Sequence, residues 1–305
     1  MIEVVGAFFE SVIRTATPLA FAALGETIVE RSGVINIGLE GSIICGSFSA
    51  VIVATNHGSW VALIAAAVAG TLISFFFALF VTWLRSDQII SGTAITLFSL
   101  GLTGTLYRLI FGPSGSALTI QTMSAVPVPI LSSLPLFGRA LFAQPPITYV
   151  LYALIPALSW WLYRTHWGLA IRAVGENPEA AGAAGVSVAR AQLMAILFGG
   201  FMGGIAGGIL VVAQAGTFAE GMSAGRGFIA IAIVVLGRWD PVRAAFASVL
   251  FGTASALQYL LQSMGWSLPY QLFLVLPYLL TLFGLAGFAG RAKPPGNLGK
   301  PIPVS

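Results

Sequence analysis

The sequence predicts an all-α polytopic membrane protein. Of its 305 residues, 57% are hydrophobic and 8% are charged, with a mean hydropathy of +0.94. A soluble protein of this length needs far more charge to cover its surface. Several windows also exceed the roughly 18–20 apolar residues needed to cross a hydrocarbon core of about 30 Å. The weak alternating pattern of an outer-membrane barrel is absent.

About nine crossings are expected, near 6–25, 35–55, 60–84, 88–111, 146–163, 191–213, 225–237, 243–263 and 270–289, in one transmembrane domain over 1–305. The seventh is short for a full span, so it either extends further or is broken. Glu3 and Glu10 with no early basic residue do not read as a cleaved signal peptide. The single cysteine, Cys45, rules out an intramolecular disulfide framework and reads as a small packing residue in an apolar run.

The pI near 9.5 is a topology signal and does not point to nucleic acid, because the arginines stand singly at span ends. With the 164–190 loop in the cytoplasm, ten basic residues fall inside: Arg31, Arg85, Arg164, Arg172, Arg190, Arg238, Arg243, Arg291, Lys293 and Lys300. Three fall outside, Arg108, Arg139 and Arg226, while Arg14 lies within the first span. That bias obeys the positive-inside rule with the N-terminus outside and the C-terminus inside. The longest external segment, about 112–145, is irregular and proline-rich.

The loop itself is a polar island, RTHWGLAIRAVGENPEAAGAAGVSVAR, between long apolar stretches. Asn177-Pro178 reads as a helix start, since Asn caps well and Pro suits the first helical position. A short helix over about Pro178–Ala184 follows, which Gly185 can end. The alternatives are an ordinary connector and a surface offered to a soluble partner.

Two other stretches concern the bundle. GGFMGGIAGG places Gly199, Gly203 and Gly207 at four-residue intervals, which suits tight helix crossing in lipid. RSGVINIGLEG sets Asn36 and Glu40 on one helical face at the edge of an apolar span, with Gly33, Gly38 and Gly41 permitting a broken helix. Glu40 either faces the bundle interior or pairs with Arg31 at the interface.

No Walker A pattern occurs: the only lysine after a glycine is Lys300, and Pro301 follows it. His57 and His166 fall on opposite sides of the membrane in this topology. No serine nucleophile elbow or close carboxylate pair is present, which argues against an intramembrane enzyme. Intramembrane carboxylates for a coupling ion are scarce, with Glu40 and Glu26 the candidates, which argues against a secondary transporter.

RSGVINIGLEG at 31–41, AIRAVGENPEAAGAAGVS at 170–187 and GRGFIAIAIVVLGRWDP at 225–241 resemble the signature blocks of the bacterial branched-chain amino acid, ribose and nucleoside permeases of ABC importers. The GVINIG and GENPEAA forms resemble the nucleoside branch, often described loosely as simple-sugar permeases. The sugar branch proper carries a GGIDLS-type block, and its ribose permeases have an extra first helix that this chain lacks.

The resemblance implies an inner-membrane subunit that makes no covalent bond. ATP and Mg would bind partner ATPase subunits in the cytoplasm. The other implied partners are a second, paralogous permease in a heterodimer and an external substrate-binding protein. Carried over residue by residue, Gly175, Glu176, Asn177, Pro178 and Ala181 match the ATPase-coupling block. Asn36, Gly38, Glu40 and Gly41 match the block beside the translocation path. Gly225, Arg226 and Gly227 match the third, with Arg226 at the outer end of a span where the binding protein would dock.

Overall fold

The computed structural model describes residues 2–112, 119–134, 137–263, 275, 279 and 293–300. Eight of the nine expected apolar segments are helical there, and the ninth, 270–289, falls almost entirely outside the described residues. In chain order the helices are α1 Ile2–Arg31, α2 Leu39–Ala54, α3 Ser59–Ala78, α4 Gln88–Phe111, α5 Gly138–Phe142 and α6 Pro146–Arg164. Then come α7 His166–Glu176, α8 Pro178–Ala183, α9 Val188–Ile209, α10 Arg226–Leu236 and α11 Pro241–Ser263. Six of them, α3 and α9 counted with their π-helical extensions, are long and apolar enough to cross a membrane: α1, α3, α4, α6, α9 and α11.

α2 and α10 are the exceptions, at 16 and 11 residues. A single crossing over 35–55 was expected, yet α2 starts only at Leu39, because residues 32–38 leave the helical path at Gly33 (φ +89°). The seventh segment is likewise half-length. It starts behind Ala224 and Gly225, both at positive φ. π-helical turns at Leu79–Trp83 and Leu210–Ala215 extend α3 and α9.

α9 is the centre of the bundle, and its glycines explain how. A Cβ on Gly199 would lie 2.4 Å from Val29 of α1, and one on Gly207 would lie 2.0 Å from the Ile43 carbonyl of α2. The adjacent row faces α3: Gly200 looks at Ser74 and Gly70, and Gly204 at the Ala66 carbonyl, at 2.2 Å. Gly203 meets the flexible end of Leu39, at 2.7 Å. The two interleaved rows thus serve α1 and α2 on one side and α3 on the other. Apolar side chains gain nothing by leaving lipid, so close backbone approach supplies the association energy.

One end of the bundle is covered by the segment around 119–144. A short antiparallel pair, Val126–Pro127 with Ala143–Gln144, lies in it. Gln144 donates to the Glu10 carbonyl (3.3 Å), which ties this layer to α1. At the other end lie α7, α8, the α10–α11 turn and residues 293–300.

Adding one methyl tests the packing. Gly207→Ala should lower stability by about 1–3 kcal/mol, the usual cost of overpacking. Gly101→Ala, with nothing within 4 Å of its Cβ position, should be neutral or slightly stabilising. Thermal unfolding of the purified variants, followed by thiol-dye labelling of Cys45, would separate them; equal midpoints would contradict the contact geometry.

Candidate functional site

Within the polar stretch at 31–41, residues 32–38 are a short passage of non-helical chain that enters the bundle from the Arg31 end of α1. Backbone groups there have no water to bond and must find protein partners. Ile35 N–H donates to Gln88 Oε1 (2.9 Å), Asn36 N–H donates to Glu26 Oε1 (2.9 Å), and the Ile37 carbonyl accepts from Thr96 Oγ1 (3.2 Å). Asn36 Nδ2 reaches Ser74 Oγ at 3.5 Å. The passage climbs α4 as it goes: Ile35 sits by Gln88 at the helix start, and the Cβ position of Gly41 abuts Ser99 at mid-helix.

Glu40 completes this arrangement. Its two carboxylate oxygens accept from Gly225 N–H (2.8 Å) and Gly227 N–H (2.7 Å). The side chain is buried, at 4% exposure, and it caps the N-terminus of α10. A carboxylate suits that place because it satisfies unpaired amides and faces the positive end of the helix dipole. Gly227 is required for the approach, since a Cβ there would lie 2.5 Å from the Glu40 backbone nitrogen. The alternative partner, Arg31, is engaged elsewhere: its Nε donates to the Trp239 carbonyl (2.7 Å) and Nη2 to Tyr163 Oη (3.3 Å).

This contact sets where Arg226 lies. The sequence expectation put it at the outer end of a span. α10 starts beside Glu40, whose neighbour Gly41 abuts Ser99 midway along α4. The Arg226 guanidinium folds back onto the Met222 and Ser223 carbonyls, at 2.9 and 3.0 Å. The preceding loop is held to α4 by a two-pronged pair between Arg108 and Glu220, both contacts 2.8 Å. Those hydrogen bonds keep the Glu220 carboxyl below its usual range.

The polar island forms α7 and α8. Asn177 Oδ1 accepts from Ala180 N–H (3.0 Å), the expected cap, and α8 ends one residue before the expected Ala184. Gly185 follows at φ +85°. Gly175, Pro178 and Ala181 are buried, whereas Glu176, Asn177, Glu179 and residues 182–185 are exposed. The inward residues fix the loop to the bundle: a Cβ on Gly175 would lie 2.1 Å from the Arg31 carbonyl.

Residues 293–300 add a brace that the sequence did not signal. Asn297 N–H donates to the Gly175 carbonyl (2.9 Å), Gly299 N–H to the Gly33 carbonyl (3.0 Å), and Gly296 N–H to Glu176 Oε2 (3.2 Å). On the adjacent turn, Trp239 Nε1 donates to Glu30 Oε2 (2.5 Å). The polar island, the 31–41 passage and the α10–α11 turn thus meet at one end of α1. Among the described residues, no group of three or more His, Cys, Asp or Glu is arranged to hold a metal.

The family model for the branched-chain amino acid transport system permease component matches residues 8–285. The chain belongs to this family. The permease is 34% identical to the guanosine ABC transporter permease protein NupQ of Bacillus subtilis, over 99% of this chain and 98% of that one. It is 33% identical to the nucleoside ABC transporter permease protein NupC of Lactococcus lactis, over 92% and 91% of the two chains. The glucose ABC transporter permease protein TsgB13 of Haloferax volcanii is 30% identical, over 79% and 66%. No solved structure matches the permease.

Glu40→Gln tests the cap. The amide has one acceptor oxygen, so it leaves one of the two buried N–H groups facing an NH2 donor. A stability loss of about 1–3 kcal/mol is expected, with faster cleavage by trypsin at Arg226. A variant as stable and as resistant as the parent would show that the cap does not hold α10.

Proposed function

We propose that the chain is the membrane-spanning subunit of an ATP-binding-cassette importer that carries nucleosides into the cytoplasm. The observation that carries this reading is the near full-length similarity to two permeases named for guanosine and nucleoside transport, at 34% and 33% identity. A simple-sugar cargo is the second reading, favoured by the glucose permease relative.

In this proposal Glu176, Asn177 and the exposed face of α8 dock on a cytoplasmic ATPase subunit that binds ATP and Mg. Gly175, Pro178 and Ala181 serve the same coupling from within, by fixing the loop against the bundle. The end bearing Arg31, Arg164, Arg172 and Arg190 is cytoplasmic, which follows from the positive-inside count. Asn36, Gly38, Glu40 and Gly41 flank the path and hold α10 beside it. A second, paralogous permease completes the path, and an external binding protein delivers the cargo. The location is a bacterial inner membrane.

The physical support is the contact between the loop and α1. A force on α8 passes through Gly175 to the Arg31 carbonyl, and α1 is a single helix of 30 residues. Movement of the loop is thereby passed to α1, which runs as one helix with Pro18 near its middle.

The docking proposal predicts that Glu176→Lys and Ala183→Trp, both at exposed positions, insert normally yet co-purify with ten- to a hundredfold less ATPase subunit. A lost docked contact can cost a few kcal/mol, against about 1.4 kcal/mol for each tenfold. Nucleoside uptake into vesicles should fall with it. Retention of both in both variants would reduce the loop to a connector.

Orientation is checked independently with Ser187→Cys in a Cys45→Ser background. An impermeant thiol reagent should label it only after cells are permeabilised. Labelling in intact cells would invert the topology.

A further inference from the structure

A cavity of about 420 Å³ opens between α1, the π-helical end of α9, the loop before α10 and α11. Ser11, Arg14, Thr15, Gln214, Arg226 and Tyr259 supply its polar lining. Arg14 stands about 25 Å along α1 from Arg31, at 1.5 Å per residue, so the cavity occupies the half of the bundle away from the polar island. Among the described residues no carboxylate lines it, and the ion pair of Arg108 with Glu220 lies elsewhere.

Two unpaired arginines in a membrane bundle need a reason. A charged side chain at such depth faces a bundle interior or a water-filled path, because contact with lipid is costly. Arg14 is exposed on this chain and lines the cavity. Arg226 commits one nitrogen to the Met222 and Ser223 carbonyls, and its remaining N–H groups stay free for the cavity. Gln214 Nε2 donates to the Arg14 carbonyl (2.6 Å), which leaves Gln214 Oε1 as an acceptor. Thr15 Oγ1 is turned back onto backbone carbonyls. The π-helical turn Leu210–Ala215 is what brings Gln214 to the wall, and such turns recur at functional sites.

We propose that this cavity is a cargo-binding site of the translocation path, and that it selects solutes with an acceptor-rich edge, of which the 6-oxopurine nucleosides are the fitting class. The site is rich in donors. A guanidinium fork matches two adjacent acceptors such as the O6 and N7 of guanine. The Tyr259 ring offers an apolar face for the base, and Gln214 Oε1 accepts from a ring or ribose donor. The volume lies in the usual range for small-ligand pockets, roughly 300–1,000 Å³. Adenosine would turn an amino donor toward the arginines and fit less well. This inference rests on the nucleoside importer reading above and adds to it which residues meet the base.

The test uses the permease assembled with its ATPase, second permease and binding protein, and guanosine as the probe. Ser11→Cys in a Cys45→Ser background should react with a charged, impermeant thiol reagent from outside. Guanosine should slow that reaction severalfold. Arg14→Gln and Arg226→Gln should each cut guanosine uptake at least tenfold, with ATPase co-purification unchanged and partial rescue by Lys. Wild-type guanosine uptake together with an unprotected or unreactive Ser11→Cys, or with full uptake in both glutamine variants, would overturn the site and leave the importer reading standing. If the wild-type assembly takes up glucose and no nucleoside, the cargo class fails for both, and that pattern is distinct from the first.

Discussion

Everything in this bundle depends on backbone-to-backbone contact along α9. Membrane helices lack the hydrophobic drive that assembles soluble cores, so their cohesion comes from closeness. The two glycine rows of α9 bring the Ile43 and Ala66 carbonyls within 2.0 and 2.2 Å of where a methyl would sit. Replacing that contact by side chains would push α1, α2 and α3 outward together, since all three lean on the same helix. Gly46 and Gly70 answer from α2 and α3, both toward Gly204.

That tight frame makes room for chain that is not helical. Residues 32–38 and the loop before α10 expose backbone groups within the bundle, and each exposed group needs a protein partner. Glu26, Gln88, Thr96 and Glu40 supply those partners, which explains why polar residues persist at depth here. Two half-length helices, α2 and α10, then start at the same height, joined by one carboxylate. The cavity lined by Arg14 and Arg226 lies just beyond that junction. The frame thus has α1, α2 and α3 packed on α9, with α10 packed through Ala230, Ile233 and Val234 and joined to α2 through Glu40.

The two ends of α1 connect the proposed partners to the proposed path. At Arg31 the helix is locked to Gly175, Trp239 and, through Gly33, to the 293–300 segment. At Ser11, Arg14 and Thr15 it forms a wall of the cavity. In the proposed coupling, a displacement of α8 is handed to α1 at the Arg31 end and carried past Pro18 toward the cavity wall.

Much of this was legible in the sequence. Apolar length alone located eight helical segments, because a bilayer imposes a minimum span, and Asn177-Pro178 marked α8 because capping is a local property. The glycine spacing of α9 marked a tight crossing for the same reason: periodicity reports which residues share a face. What the sequence left open was pairing across distance. Nothing local says that Glu40 bonds amides 185 and 187 residues away, or that Arg226 starts a helix at mid-height. Nor does it say that Gly296 returns to Glu176 and Asn297 to Gly175. Those choices were made by tertiary structure, because a buried donor or acceptor takes whatever partner the packed backbone brings within about 3 Å.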